Sequence, residues 1–168
     1  VITSVSFRLR KTPVFNTSYG AIQLELDKMA VKDLSIQAIS QAVISIRSSK
    51  LPDWKQLGNA GSFFKNPQIL KHEFHELKRI FPRIIGFSVG DEYTKLAAGW
   101  LIEQCGPLDS MSWKGYRKGD AGCYEKQALV LVNYGEANGQ EIFDLSEEIN
   151  QSVKKKFGVT LEREVNII

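Results

Sequence analysis

Residues 58–67 read Gly-Asn-Ala-Gly-Ser-Phe-Phe-Lys-Asn-Pro, and our prediction of the fold is built outward from this stretch. Two glycines and one alanine leave Ser62 with almost no side-chain cover on its N-terminal side, which suits a backbone pressed against a flat ligand. Phe63 and Phe64 follow, and they either anchor the turn in a core or form the wall of a pocket. The simpler alternative is a tight loop with a buried phenylalanine pair and a solvent-exposed serine.

Composition places the chain among folded globular proteins. Its 168 residues suit one domain of ordinary size, or one domain with part of a neighbour, and 43% of them are hydrophobic and 24% charged. The sequence has no apolar run near the ~20 residues that a membrane-spanning helix needs. The net charge of +3 gives little support to nucleic-acid binding and suits an anionic small molecule equally well.

The residues that most often bind metals do not form a convincing set. Cys105 and Cys123 lack metal-ligand spacing, so we predict reduced thiols in a cytosolic protein. His72 and His75 lie three residues apart on a predicted helix, but no third ligand accompanies them. We therefore predict no metal site.

The beginning of the chain alternates apolar and polar side chains, which is typical of a half-buried strand. The apolar positions of residues 1–10 include Val1, Val5, Phe7 and Leu9. A second strand is predicted over residues 21–26 and a helix over residues 32–48. Because a strand is the first element and no turn precedes it, we interpret the chain as the C-terminal piece of a longer protein.

The remaining elements complete a predicted α+β fold, in which helices pack on a mixed or antiparallel sheet. Helices are predicted over residues 68–81, 95–106 and 138–158, and strands over residues 84–89, 128–134 and 159–168. The last helix has the clearest ends, because Asn138 and Glu141 form a capping-box pattern and Gly158 suits a left-handed C-terminal residue.

Several charged side chains have two open interpretations each. Arg47 and Lys50, at the end of the first predicted helix, either face the negative end of that helix or reach a phosphate. Lys114 opens a basic, glycine-spaced segment that matches neither a dinucleotide-binding nor a P-loop fingerprint. The Lys114 side chain either contacts a phosphate or is only exposed to solvent.

The final predicted strand has two distinct faces. Leu161, Arg163 and Val165 share one face, whereas Glu164 lies on the other. Glu164 is either a solvent-facing strand residue or a carboxyl directed to a site. From the residues alone, the prediction is an α+β domain with a candidate site of serine, lysine, asparagine and glutamate side chains.

Several separated stretches resemble one family, the UDP-N-acetylenolpyruvoylglucosamine reductases, also called UDP-N-acetylmuramate dehydrogenases. These are flavoenzymes of bacterial peptidoglycan synthesis. The matching stretches are residues 47–53, 58–67, 95–105, 119–122, 125–133 and 161–165, in the order that the family has them. The upstream part resembles the first type of the family, which carries an additional strand-and-helix insertion.

The resemblance implies a reduction in two steps. NADPH reduces a bound FAD, and the flavin passes hydride to the enolpyruvyl ether of UDP-N-acetylglucosamine, which gives UDP-N-acetylmuramate. Hydride addition at the terminal vinyl carbon leaves a carbanion beside the carboxylate, and the residue that matches the proton donor of the family is Ser62. Glu164 matches the catalytic glutamate, whose implied role is to steady the enolate or to help protonation.

Other matches imply contacts with substrate or cofactor. Asn66 and Gln127 match amides that bind the substrate. Lys50 matches a lysine near the substrate, and Lys114 matches a lysine of the diphosphate region. Arg47 is a candidate for contact with the flavin or with a phosphate.

The chain departs from the family pattern at three places. Phe87 stands where the family has a substrate-stacking tyrosine, and Tyr93 lies nearby, so the stacking residue is unassigned between these two. Residues 107–112 are additional. Asn166 stands where some members have arginine.

The resemblance also implies how the chain divides. Residues 1–51 correspond to the trailing part of the FAD-binding domain with the type-specific insertion, residues 52–158 to the substrate-binding domain, and residues 159–168 to a closing strand that carries the catalytic glutamate. The main FAD-binding half is expected before Val1, so the isolated chain is expected to be inactive. The complete protein is expected to be a cytoplasmic monomer that binds neither nucleic acid nor membrane.

Two interpretations from other classes stay open. One is a non-catalytic α+β module that binds an anionic nucleotide-sugar through the same loop. The other is a nucleic-acid-binding module, which rests only on a pI of about 8.8 and on clustered lysines. The effect of Ser62→Ala on turnover separates catalysis from binding, and the salt dependence of oligonucleotide binding tests the last interpretation.

Overall fold

The computed structural model describes residues 2–167. The chain divides into two compact units, Val1–Lys50 and Leu51–Ile168, and each is described by itself. Val1 and Ile168 are the outer ends of the first and last predicted strands, and they lie outside the described residues. Within residues 2–167, no helix combines the length and apolar character that crossing a membrane requires.

The first unit contains two helices, α1 (Ile22–Lys28) and α2 (Ile36–Lys50), which follow a segment without regular structure. Leu26 of α1 and Ala42 of α2 are buried. The Ser45 hydroxyl donates a hydrogen bond to the Glu25 carboxylate and so joins the two helices. The helix predicted over residues 32–48 is confirmed as α2, with both ends displaced by a few residues.

The strand predicted over residues 21–26 is wrong, because this segment belongs to α1. Its apolar residues alternate as they do in a strand, yet Leu26 is buried and Leu24 is exposed. The Gln23 amide donates a hydrogen bond to Asp27 at 2.9 Å, a pairing of side chains four residues apart that a helix brings together. The alternation of apolar residues therefore did not predict the structure of this segment, which is helical.

The strand predicted over residues 1–10 is wrong for the residues that the structure describes. Residues 2–10 adopt neither helix nor strand, and Phe7 and Leu9 are 78% and 82% exposed. A strand is stable only where a neighbour takes up its backbone N–H and C=O groups. The described part of the first unit contains no such strand.

The second unit contains strands and helices in an α+β arrangement, which confirms the predicted class. In chain order its elements are β1 (Gly58–Ser62), β2 (Gln68–Leu70), α3 (Lys71–Ile80), β3 (Gly86–Val89), β4 (Tyr93–Leu96), α4 (Ala98–Glu103), β5 (Arg117–Lys118), β6 (Ala121–Cys123), β7 (Val130–Asn133) and α5 (Gly139–Phe157). One sheet has the order β1-β7-β6-β5 and the other the order β2-β4-β3. The strand pairs described in both sheets are antiparallel.

Two helices begin later than predicted, because the first residues of each predicted range belong to a strand. Residues 68–81 form β2 and then α3, and residues 95–106 begin in β4 and continue into α4. Strand β4 lies between the other two strands of its sheet, since Gln68 and Phe87 both lie opposite Lys95. Pairing with neighbouring strands therefore overrides the helical periodicity at both positions.

Helix α5 has the ends that the sequence predicts. The Asn138 side chain accepts a hydrogen bond from the Glu141 N–H at 3.0 Å, and the Glu141 carboxylate accepts one from the Asn138 N–H at 2.9 Å. Gly158 ends the helix in the left-handed conformation, with φ of 71°. The buried face of the helix consists of Leu145, Ser146, Ile149, Val153 and Phe157. It packs into the core of the second unit.

After α5 the chain turns back along this helix. The strand predicted over residues 159–168 is wrong, because the described residues of this segment form no regular strand. Their strand-like pairing is limited to one isolated bridge between Arg163 and Phe64. The two predicted faces are confirmed over residues 161–165, since Leu161 is buried, Arg163 is half-buried and Glu164 is exposed. They do not extend to Ile167, which was predicted on the face of Leu161 and is exposed. The segment lacks a longer ladder because it packs on a helix as well as on the loop after β1.

Candidate functional site

Strand β1 leaves regular sheet geometry just before Ser62. Asn59 lies opposite Val132 and Ser62 opposite Val130, so β1 carries one extra residue between the two pairs. Gly61, within this irregularity, has a φ of 76°, and its N–H donates a hydrogen bond to the Asn59 side chain at 3.1 Å. Nothing lies within 4 Å of a Cβ built on Gly61, so the backbone is open there.

Phe63 and Phe64 hold the next part of the loop inside the unit. Both rings are buried, and they meet edge to face with centroids 5.4 Å apart. The Phe63 N–H donates to the Leu129 carbonyl at 2.8 Å, and the Phe63 carbonyl accepts from the Glu164 N–H at 2.9 Å. The aromatic pair is therefore a core anchor, one of the two roles that the sequence left open, and it joins the approach to β7 to the C-terminal segment.

This pairing brings Ser62 and Glu164 close to each other along the backbone. Ser62 directly precedes Phe63, whose carbonyl oxygen accepts the hydrogen bond from the Glu164 N–H. Both Ser62 and Glu164 are exposed. A hydroxyl and a carboxyl are chemically able to donate and relay a proton to a bound ligand, and here both are exposed on adjoining backbone.

Asn66 and Gln127 each contact the first turn of α4. Asn66 Oδ1 accepts a hydrogen bond from the Ala98 N–H at 2.9 Å, which leaves the amide NH₂ group to donate elsewhere. Gln127 Oε1 lies 2.9 Å from the position that a Cβ on Gly99 would take, and it accepts from the Leu129 N–H at 3.4 Å. Because the Leu129 carbonyl also holds the loop after β1, the two amides border that loop. We call Ser62, Asn66, Gln127 and Glu164 the Ser62 cluster.

Lys114 lies at the opposite end of α4 from Asn66. Its ammonium group is 2.8 Å from the carboxylate of Glu103, the last residue of that helix. Glu103 was not predicted to have a role, and its spacing from Lys114 contains no signal that would have revealed the pair. A phosphate that reached Lys114 would have to share this ammonium group with Glu103 or displace it.

Arg47 and Lys50 belong to the first unit. Both are exposed in the last turn of α2, where a cation interacts favourably with the negative end of the helix. This position suits the first of the two interpretations, and contact with a phosphate stays a prediction.

The two aromatic candidates for substrate stacking lie on neighbouring strands. Phe87 is in β3 and Tyr93 in β4, and both rings are exposed. Val89 lies opposite Tyr93 and Lys95 opposite Phe87, so the two candidates are offset along the pair of strands. The choice between Phe87 and Tyr93 stays open.

Two clefts of the second unit lie away from the Ser62 cluster. One, of about 600 Å³, lies between residues 104–109 and α5, and the other, of about 430 Å³, lies between α3 and the end of α5. Neither is lined by a member of the Ser62 cluster. The cluster lies outside both clefts; Ser62, Asn66 and Glu164 are exposed, and Gln127 is half-buried.

The two cysteines are free, as the sequence predicts, and both are buried. Burial raises the pKa of the Cys123 thiol to about 12, and the thiol donates a hydrogen bond to the Ala128 carbonyl at 2.9 Å. Burial also raises the pKa of Cys105. Because a cysteine reacts as the thiolate, neither side chain is a nucleophile near neutral pH in this conformation.

Arg163 was not predicted to have a function, yet its side chain is held by three partners. Its Nε–H donates to the Ser146 hydroxyl at 2.8 Å, another guanidinium nitrogen pairs with Glu147, and the group lies 4.4 Å from the centre of the Phe143 ring. The sequence did contain a signal for these contacts, because the alternation of residues 161–165 places Arg163 on the same face as Leu161 and Val165. A charged residue on an apolar face needs a partner inside the fold.

Comparisons with known proteins identify relatives over the whole chain. Residues 53–168 match the family described as "UDP-N-acetylenolpyruvoylglucosamine reductase, C-terminal domain". A UDP-N-acetylenolpyruvoylglucosamine reductase of Flavobacterium johnsoniae is 49% identical over 169 residues, which cover 100% of this chain and 48% of the relative. Reductases of the same name from Amoebophilus asiaticus and Pseudomonas putida are 48% and 44% identical, over 100% and 99% of this chain and 48% of each relative. The chain spans about half the length of these curated relatives.

Proposed function

Because this chain belongs to the UDP-N-acetylenolpyruvoylglucosamine reductase family, whose C-terminal domain it contains, we propose that it forms the substrate-side half of such a reductase. The proposed reaction converts the enolpyruvyl ether of UDP-N-acetylglucosamine to UDP-N-acetylmuramate, a step of peptidoglycan synthesis. The observation that supports this most directly is the hydrogen bond from the Glu164 N–H to the carbonyl of Phe63, the residue after Ser62. Asn66 and Gln127 contact the first turn of α4 and border the same loop.

In this proposal Ser62 is the proton donor. When hydride has added to the terminal vinyl carbon, the neighbouring carbon beside the carboxylate holds the electron pair, and the Ser62 O–H bond breaks as the new C–H bond forms. A serine hydroxyl is a weak acid, so this transfer requires a strongly basic carbanion within hydrogen-bond reach and away from water. The exposure of Ser62 on an open loop leaves the hydroxyl accessible to such a ligand.

We assign Glu164 a supporting role in the same proton transfer from Ser62. Its N–H is used by Phe63, whereas its side chain is exposed and free to approach the enolate or the serine hydroxyl. In its protonated form the carboxyl would steady the enolate by a hydrogen bond and would supply the proton that restores Ser62. These roles make Ser62 and Glu164 the two catalytic residues of this half.

The amides and lysines would hold the substrate. Asn66 has its NH₂ group available and Gln127 lies beside it at α4, so both suit contacts with sugar or pyruvyl oxygens. Lys50 and Lys114 would pair with the anionic groups of the substrate, Lys114 at the diphosphate, and Arg47 would reach the flavin or a phosphate. At Lys114 the pairing requires release from Glu103.

The residues of the loop fit the approach of a flavin. Gly61 has a φ of 76° and open space where a Cβ would stand, so a flat ring meets no side chain there. FAD, bound mainly by an N-terminal half that the curated relatives possess, would supply the hydride after its reduction by NADPH. A chain without that half is expected to be inactive, although it retains the Ser62 cluster.

We propose the following division of this chain within the complete enzyme. Residues 1–51 would be the trailing part of the FAD-binding domain and an insertion, residues 52–158 the substrate-binding domain, and residues 159–168 the closing segment with Glu164. Two free, buried cysteines suit a reducing compartment, so we place the enzyme in the cytoplasm. We expect it to act as a monomer.

The test uses the complete reductase and follows the flavin spectrum. In Ser62→Ala we expect NADPH to reduce the flavin at the wild-type rate, while reoxidation by saturating substrate falls by about 100-fold or more. Ser88→Ala is the matched control, because it removes an exposed hydroxyl from β3, away from the cluster. We expect Ser88→Ala to behave like the wild type in both half-reactions.

Three results would contradict parts of the proposal. If no flavin is bound, or if substrate does not reoxidise the wild-type flavin, the reductase function is wrong. If Ser62→Ala reoxidises as fast as Ser88→Ala, the role of Ser62 is wrong. If Ser62→Ala weakens only substrate affinity and leaves turnover unchanged at saturation, the loop binds a nucleotide-sugar without donating a proton.

A further inference from the structure

The C-terminal segment is positioned by one side of α5. The residues of this helix that hold it are Phe143, Ser146, Glu147 and Asn150, which are spaced as i, i+3, i+4 and i+7 and so lie along one stripe. Asn150 accepts a hydrogen bond from the Leu161 N–H at 2.8 Å. The other three residues of the stripe contact Arg163. The chain therefore retraces α5, and Arg163 is the last anchored side chain before Glu164.

The Arg163 side chain is held more firmly than an ordinary surface cation. It is 20% exposed, and its partner Ser146 is fully buried. The planar guanidinium group is fixed along its edge by Ser146 and Glu147 and on its face by the Phe143 ring. The positive charge is thus paired with Glu147 of the helix.

The backbone at Arg163 is fixed on its other side by the loop after β1. Arg163 forms a bridge with Phe64. The residues on either side of Arg163 complete the pairing, since the Glu162 carbonyl accepts from the Lys65 N–H at 2.8 Å and the Glu164 N–H donates to the Phe63 carbonyl at 2.9 Å. Arg163 therefore links α5 to the loop that carries Ser62.

We propose that Arg163 is a positioning residue that sets the distance between the Glu164 carboxyl and Ser62 by anchoring the segment to α5. This inference rests on the proposed function, because it assigns Arg163 to the same proton-transfer step. Arg163 itself touches neither the substrate nor the reacting atoms. It acts because it directly precedes Glu164 in the chain. Among the described residues of the Leu161–Val165 stretch, Arg163 alone has a side chain that contacts α5 through charged and aromatic groups.

Loss of this anchor should affect turnover more than binding. Small displacements of a catalytic group reduce the rate steeply, by up to about 100-fold for a misplacement of about 1 Å. In Arg163→Gln we expect reoxidation of the reduced flavin by saturating substrate to slow by about tenfold, while KM changes by less than about twofold. Reduction of the flavin by NADPH should be unchanged.

The chain offers a closely matched control in Arg117. Its Nε–H donates to the Gly119 carbonyl at 2.6 Å, its guanidinium pairs with Asp120, and it lies 4.5 Å from the centre of the Tyr134 ring. Arg117→Gln therefore removes the same kinds of contact from a site that does not touch the C-terminal segment. We expect wild-type rates in both half-reactions for this variant.

A double-mutant cycle in the complete reductase separates positioning from general destabilisation. If Arg163 acts through Glu164, adding Arg163→Gln to Glu164→Gln should slow reoxidation by less than about twofold beyond Glu164→Gln alone. Glu147→Gln serves as the second variant, because it weakens the anchor and leaves Arg163 in place. It should slow reoxidation in the same direction and by less, and thermal unfolding identifies any variant that fails to fold.

The outcomes distinguish this inference from the proposed function. If the wild type turns over and Glu164→Gln is slow, but Arg163→Gln matches Arg117→Gln, Arg163 is not a positioning residue. The same conclusion follows if the effects of Arg163→Gln and Glu164→Gln multiply, or if Arg163→Gln and Glu147→Gln both fail to fold. If substrate does not reoxidise the wild-type flavin, the proposed function has failed first, and the inference fails with it.

Discussion

The two ends of this chain have similar patterns and different structures. Residues 2–10 and residues 159–167 both alternate apolar and polar side chains, and both are extended or irregular rather than helical. Near the start, Phe7 and Leu9 are exposed. Near the end, Leu161 is 3% exposed and its N–H is bonded to α5. Alternation thus indicates which side chains could be buried together, and the presence of a covering surface decides whether they are.

The covering surface at the C-terminal end comes from a helix and a loop that the same unit supplies. Helix α5 lies directly before the segment in the chain, and Gly158 reverses the direction between them. The first unit offers its N-terminal residues no comparable cover among the described residues. The comparison therefore predicts that equivalent substitutions have unequal effects at the two ends.

The largest difference is expected for one pair of leucines. Leu161→Ala should reduce the free energy of unfolding of the second unit by about 3 kcal/mol, because it removes a fully buried side chain and leaves a cavity. Leu9→Ala should change the free energy of unfolding of the first unit by less than about 0.5 kcal/mol, since Leu9 is exposed. Urea unfolding of the two variants measures both values, and equal effects would show that burial does not distinguish the two ends.

A smaller effect is expected at the reversal after α5. Gly158→Ala should lower the free energy of unfolding by about 1 kcal/mol, because a φ of 71° is strained for alanine. A steric clash does not contribute, since nothing lies within 4 Å of the position that the new Cβ would take. Gly139→Ala is the control at the other end of the helix. Gly139 also has open space at its Cβ position and is not among the glycines with positive φ, so the change there should be neutral or stabilising by about 0.5 kcal/mol. A loss at Gly139 as large as that at Gly158 would contradict the strain argument; thermal unfolding provides the comparison.

The smallest effect is expected for the exposed ion pair that joins the loop to the C-terminal segment. The Lys65 ammonium pairs with the Glu162 carboxylate, and their side chains are 50% and 71% exposed. Lys65→Gln should therefore cost about 0.5 kcal/mol or less, and 1 M NaCl should remove the difference from wild type. Arg8→Gln at the other end should have no measurable effect. If Lys65→Gln still lowers the free energy of unfolding in high salt, the contact is stronger than a solvent-exposed ion pair.

Much of the fold followed from local signals in the sequence. The capping residues Asn138 and Glu141 and the terminal Gly158 gave the ends of α5, because caps depend on neighbours a few residues apart. Strands β2 and β4 were missed because pairing between segments distant in sequence decides them. Helix α1 was missed because its apolar residues happen to alternate while most of them remain outside the core.

For the candidate site, the sequence supplied the candidate residues and the structure supplied the contacts around them. The family resemblance selected Ser62 and Glu164, and the structure places them on adjoining backbone. It gave no indication that Lys114 is paired with Glu103, since that contact depends on where α4 ends. Arg163 was visible as a cation on an apolar face, but its partners on α5 could not be inferred without the reversal of the chain.

The pairing between the loop after β1 and the C-terminal segment also has a consequence for the order of folding. Closing the contact between Lys65 and Glu162 joins residues 97 positions apart, whereas Leu161 meets Asn150 across 11 positions, and the difference in loop-closure entropy is about 2 kcal/mol. The segment is therefore expected to dock on α5 early and on the loop late. Substitutions at Phe64 should then mainly accelerate unfolding in stopped-flow experiments, and those at Leu161 should also slow folding. The surface that carries Ser62 and Glu164 would be among the last parts of the unit to form, so a nascent chain would acquire it only after residue 164 has been synthesised.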